Sequence, residues 1–158
     1  MTRHISRFAA VAMIALAFTH PSLAAGGGAK EAETAALSFH RAVSNYSAAT
    51  ADETLLKSRR FFVDEAAYQD FRTAMKSAGN YDAVKKFEMN VTSAPGEAKT
   101  SRSEDGSWKV TFRSKESYRP ASGAGLDQCL VVDVVLKPAG KSLAVSSMIE
   151  TACPAATK

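Results

Sequence analysis

The sequence predicts an α+β domain, helices first and strands afterwards, on three observations. Apolar residues recur at helical spacing from Ala32 to Met75; the period changes to two beyond Lys86; and turn signals such as Asp105-Gly106 separate the alternating runs. The chain has 158 residues with 46% apolar and 23% charged side chains, which suits one soluble domain with a short appendage. It excludes a collagen, a wholly disordered chain and a polytopic membrane protein.

The first element is a secretory signal over residues 1–24. Arg3 and Arg7 supply the positive end, Phe8 to Phe18 form an apolar run, and Ser22 and Ala24 stand in the −3 and −1 places for cleavage. A helical span needs about 20 apolar residues, and Thr19-His20-Pro21 interrupts this run first. The expected location is the periplasm, the alternative being an inner-membrane anchor formed by an uncleaved segment. Removing residues 1–24 takes away Arg3 and Arg7 and lowers the net charge from +4 to +2. That is too weak a charge to argue for nucleic acid. A leader over 25–34, a domain over 35–153 and a tail over 154–158 follow.

Ala32, Ala36, Phe39, Val43 and Tyr46 form one apolar helical stripe. Thr50 and Glu53 read as a capping box opening a second helix, with Leu55, Leu56 and Phe62 as its buried side. Asp64 caps a third helix through Ala67, Tyr68, Phe71 and Met75, which stops at Gly79-Asn80; residues 81–86 add a short turn. Phe87, Met89 and Val91 then alternate with Glu88 and Asn90 as a strand that Pro95-Gly96 bends. Trp108, Val110 and Phe112 start the next strand, and residues 119–125 are a loop. Leu126 to Leu136 is the most apolar strand; Val131 and Val135 on its second face give it a central, twice-covered position. A turn near Pro138-Ala139-Gly140-Lys141 leads to a last strand, Leu143 to Thr151.

Cys129 and Cys153 are the only cysteines. In an oxidising compartment an even pair favours a bridge over two buried free thiols. Pairing Leu136 with Leu143 across the turn leaves the two cysteines three residues out of register, an offset that a bulge or a folded-back tail must absorb.

His40 is the one histidine left once His4 and His20 leave with the signal, and beside Phe39 it reads as structural or exposed. No three-ligand metal pattern, nucleophile elbow or phosphate-cradling glycine motif occurs, so neither a cofactor nor catalysis is expected. Asp133 is costly in mid-strand unless paired or hydrated. It faces outward beside a lysine or, in an open cone, inward as a base. Lys57, Arg59, Arg60, Lys85 and Lys86 read as solvated faces.

The order of motifs resembles the DotI/IcmL/TraM family of type IVB secretion and conjugation components. The residues carrying it are Ala36-Leu37-Ser38-Phe39 with Asn45-Tyr46, Phe61-Phe62, and Phe71-x-x-Ala74-x-x-x-Ala78-Gly79-Asn80. It continues through Val84, Met89-x-Val91, Ser93-Ala94-Pro95, Trp108-Lys109-Val110, Gln128-Cys129-Leu130-Val131-Val132 and Leu143-Ala144-Val145. The resemblance implies an NTF2-like cone, with helices on the concave face of a curved antiparallel sheet of about four strands. It also implies a non-catalytic scaffold with protein partners in the bacterial envelope; homo-oligomerisation stays open. The alternative within that fold is a small-molecule-binding or isomerase-like protein, its pocket lined by Tyr46, Tyr68, Trp108, Phe112 and Asp133.

Overall fold

The computed structural model describes residues 27–77 and 80–154. The signal over 1–24, the expected stop at Gly79 and the tail beyond Pro154 lie outside the described residues. Helix α1 (Ala29–Val43) is followed by a two-residue strand β1 (Tyr46–Ser47) and helix α2 (Ala51–Ser58) with a 3-10 turn (Arg59–Phe61). Helices α3 (Glu65–Ser77) and α4 (Asn80–Lys86) complete the helical half. The strand half is β2 (Asn90–Arg102), β3 (Trp108–Arg119), β4 (Leu126–Ala139) and β5 (Ser142–Ala152). The sheet is antiparallel and ordered β1-β2-β3-β4-β5, so every long strand pairs with its sequence neighbour.

Alternation along β3 and β4 creates the core. Trp108, Val110 and Phe112 on β3, and Leu130, Val132, Val134 and Leu136 on β4, turn to the concave face, where α1 lays Ala32, Ala36, Phe39 and Val43. The two alanines let α1 approach closely. The Phe39 ring then meets those of Phe61, Phe62 and Phe71 at centroid distances of 5.6, 5.3 and 5.7 Å, near-perpendicular to tilted, as aromatic quadrupoles prefer. Asp64 caps α3, accepting the Ala67 N–H at 2.8 Å. Gly106 (φ +82°) closes the β2–β3 turn in the left-handed region that glycine tolerates, and the ladder shifts between Pro95 and Ala98 as the proline requires.

Several expectations are corrected. Helix α1 starts at Ala29, so residues 29–34 are helix rather than leader. Thr50 and Glu53 form no capping box: the Thr50 hydroxyl accepts the Ser47 N–H at 2.9 Å and Glu53 pairs with Lys57 at 2.6 Å. The preceding turn competes for the same hydroxyl and wins. Leu56 is exposed because only Leu55 of that pair faces α1. Phe87 is exposed and precedes the strand, which begins at Asn90 after a turn in which Glu88 takes φ +49°. β4 is central but covered on one face; Val131 and Val135 are only half-buried. Leu136 pairs with Val145, not Leu143, and a bulge at Val135/Leu136 shifts the register by one residue.

Candidate functional site

The concave face carries polar groups as well as core. His40 on α1 is fully buried, its ring edge-on to Phe112 at 5.0 Å. Its Nε2 lies 3.1 Å from the Ser114 hydroxyl and its Nδ1 3.2 Å from that of Ser44, so a neutral ring donates to one and accepts from the other. Glu150 of β5 approaches Nδ1 at 3.8 Å. Further along the sheet the Tyr118 hydroxyl donates to Glu116 at 2.7 Å, and the Gln128 amide donates to Tyr118 and Glu116 at 3.0 and 3.3 Å. Even-numbered positions of β3 and β4 face the concave side, which places Ser114, Glu116, Tyr118 and Gln128 there; α1 places His40 and Ser44 over them.

Burial sets the protonation of this cluster. Desolvation, with Arg41 adding to it, pushes His40 down to about 4, so its ring is neutral at pH 7. Desolvation, then the neighbouring Glu116 charge, pushes Glu150 up to about 7. Tyr46 is raised to about 12 by burial and by Glu116 and Glu150. Ser114, His40 and Glu150 are the residue types of a nucleophile, base and orienting carboxylate. The Ser114 side chain is 1% exposed, however, and the ring nitrogen that would meet Glu150 sits closer to Ser44. The arrangement satisfies buried polar atoms and fixes α1 on the sheet.

A small hollow of about 10 Å³ lies among the helices, bounded by Val43, Tyr46, Ala51, Leu55, Phe71, Met75 and Tyr81. Larger hollows open elsewhere: about 340 Å³ between α1, the 3-10 turn and the β4–β5 hairpin, bounded by Ala35, Phe61, Phe62, Leu136 and Val145, and about 470 Å³ on the outer sheet face beside Arg113 and Val131. Among the described residues no group of three or more metal-ligating side chains forms, and no helix is long and apolar enough to cross a membrane.

The structure does not gather the sequence-chosen pocket residues around one opening. Tyr68 and Phe112 are core residues, and Trp108 is buried at the β3 start under the Arg102 guanidinium, 5.3 Å from its ring. Only Tyr46 borders the small interior void. Asp133 lies on the outer face, bonded by Lys109 at 2.8 Å and Thr111 at 2.5 Å. Burial alone would raise its pKa, but those two hydrogen bonds hold it below the ordinary carboxylate range. Cys129 and Cys153 are joined, with Cα atoms 5.3 Å apart. Sequence reasoning missed Ser114, Glu116, Gln128 and Glu150. The signal was available in phase: Ser114 and Glu116 share the β3 parity of Val110 and Phe112, and Gln128 that of Leu130.

No family model and no curated protein matches this sequence. Solved structures do match. The periplasmic domain of DotI superposes with a TM-score of 0.71 over 80% of this chain and 97% of that one, at 20% identity. An IcmL-like type IV secretion system protein from Legionella pneumophila gives 0.72 over 84% and 99%, at 14% identity. CagV, a VirB8 homolog from Helicobacter pylori, gives 0.61 over 79% and 99%, at 12% identity. This chain has their fold. It is the NTF2-like α+β architecture that the resemblance to the DotI/IcmL/TraM family implied, and the match takes in almost the whole of each DotI-like domain.

Proposed function

We propose that this chain is an exported, non-catalytic interaction module of the bacterial envelope, serving a type IV secretion or conjugation apparatus. The observation that carries this reading is a DotI-like fold whose concave face is lined by buried core side chains, with its polar groups His40, Ser114 and Glu116 buried among them. A face filled in this way works through grooves, helix faces and strand edges. The segment 1–24 acts as a cleaved signal, 25–28 joins it to the domain, and the Cys129–Cys153 bridge suits the oxidising periplasm. The alternative, a small-molecule-binding or isomerase-like protein, would require ligand entry toward His40 and Glu116, both of which are buried.

The test is recovery of the full chain from the periplasm at native expression, cross-linked in intact cells, with its neighbours identified by mass. Co-recovery of secretion or conjugation components is the expected outcome. Recovery of none, or a chain retained in the cytoplasm, defeats the reading.

A further inference from the structure

The outer face of the sheet is exposed, and its charges are unevenly matched. Odd-numbered positions of β3 face outward and present Lys109, Thr111, Arg113, Lys115, Ser117 and Arg119. On β2, Lys99 stands beside Thr111 and shares that face. β4 neutralises both ends of the row: Lys109 pairs with Asp133 at 2.8 Å and Arg119 with Asp127 at 2.5 Å. Lys99, Arg113 and Lys115, in the middle, join no ion pair among the described residues.

Lys99 and Arg113 border the groove of about 470 Å³, together with Glu97, Thr111, Val131 and Pro154. Two local features open it. Opposite Arg113, β2 places two residues, Gly96 and Glu97, at the bulge between Pro95 and Ala98, and Gly96 has no side chain to cover the site. Beyond Cys153 the chain leaves the β4 ladder. Cys153 is held opposite Cys129 by the disulfide and by its N–H bond to the Cys129 carbonyl at 2.9 Å, and the next residue, Pro154, borders the groove beside Val131. The disulfide thereby fixes one wall. Glu97 is the one acid among the residues bordering the groove, against two cations, and Lys115 follows two residues along from Arg113.

We propose that this groove binds a short, extended acidic segment of an envelope protein, with carboxylates at alternate positions. Arg113 and Lys115 stem from backbone positions about 6.8 Å apart on one strand, and Lys99 is the diagonal neighbour of Arg113 at about 7–8 Å. Alternate side chains of an extended peptide recur at the same spacing. The Arg113 guanidinium takes the central carboxylate in a two-point bond, the two lysines hold the flanking ones, and Val131 lies beneath their aliphatic stems. A continuous anionic surface such as a lipid bilayer is the poorer fit. It would press on Glu97, Asp127 and Asp133 together, whereas a short segment meets the centre of the row alone. The proposal rests on the interaction-module reading and names a surface and a partner chemistry for it.

The test uses the full chain purified from the periplasm and a fluorescent peptide alternating glutamate with threonine, its glutamine version serving as control, followed by anisotropy. The glutamate peptide is expected to bind, more weakly as salt rises, and the glutamine peptide to stay free. Arg113→Gln weakens binding about tenfold or more. Lys137→Gln, which removes an exposed cation of the same face outside the groove, leaves it unchanged. Neither side chain is buried, so both variants keep the wild-type denaturant midpoint. No binding of the glutamate peptide, equal binding of the glutamine peptide, equal loss from both variants, or cosedimentation with phosphatidylglycerol vesicles in place of peptide binding overturns the proposal. Recovery of secretion components in cells without peptide binding defeats the groove alone. Arg113-dependent peptide binding by a chain that recovers other envelope proteins, but no secretion or conjugation component, supports the groove and defeats the assembly reading.

Discussion

His40 and Glu150 show how a buried neighbourhood sets opposing pH dependences. His40, held near 4 by desolvation and Arg41, stays neutral where an unfolded chain takes up a proton, so its contribution weakens as pH falls from 6.5 to 4. Glu150, raised to about 7 by desolvation and Glu116, holds a proton that an unfolded chain releases above 4.5. Its contribution is therefore greatest at low pH and lost as pH rises through 7. Between 4.5 and 6.5 the two slopes oppose. Glu150→Gln removes one of them: the variant is expected to gain stability over wild type at pH 8, with little difference at pH 4.5. Urea unfolding at the two pH values measures this, and an equal shift at both would refute it. Glu150 also shows why single residues were hard to read: an acid in a strand is ordinarily a surface group, and only its phase against β4 turns it inward.

At the level of elements, the β4–β5 hairpin shows the division between local and long-range information. Its strands, and a turn near Pro138-Ala139-Gly140-Lys141, were legible from apolar runs and turn residues; the exact turn, Gly140-Lys141 between paired Ala139 and Ser142, was not. Its register was not, because the one-residue shift opposite Ser146 arises from fitting β5 beneath the chain at Val145. That bulge sets Cys153 opposite Cys129, 24 residues apart in the chain. Closing a loop of this length stabilises by about 3 kcal/mol in the chain-entropy model. The Cys129→Ser/Cys153→Ser double variant should lose about that much in denaturant unfolding, and a loss under 1 kcal/mol would contradict the assignment. The Thr50–Glu53 pattern failed for a comparable reason: a hydroxyl serves one partner at a time, and Ser47 is nearer.

Across the whole molecule, the helices pack their apolar side chains into the sheet's concave face. Phe39 is the keystone of that filling, touching Phe61, Phe62 and Phe71 at zero exposure. Phe39→Ala should cost about 3–5 kcal/mol. Thermal unfolding measures it; a shift within error would mean that the interior is not rigidly packed and that a chamber can open there. The helix-then-strand order needed no tertiary information, since amphipathic period is a local property of the chain.

Residue order alone determined the class of the domain, the helical and strand periods, the turn at Asp105-Gly106 and a turn near Pro138-Lys141, and a likeness strong enough to imply the cone. Tertiary structure decided which polar residues turn inward, how the last strand slides against its neighbour and where hollows open between the elements. The physical reason is range: periodicity is written within a few neighbouring residues, whereas burial, register and hollows are set by groups that meet only when α1, the turn before α3 and β5 close on one another.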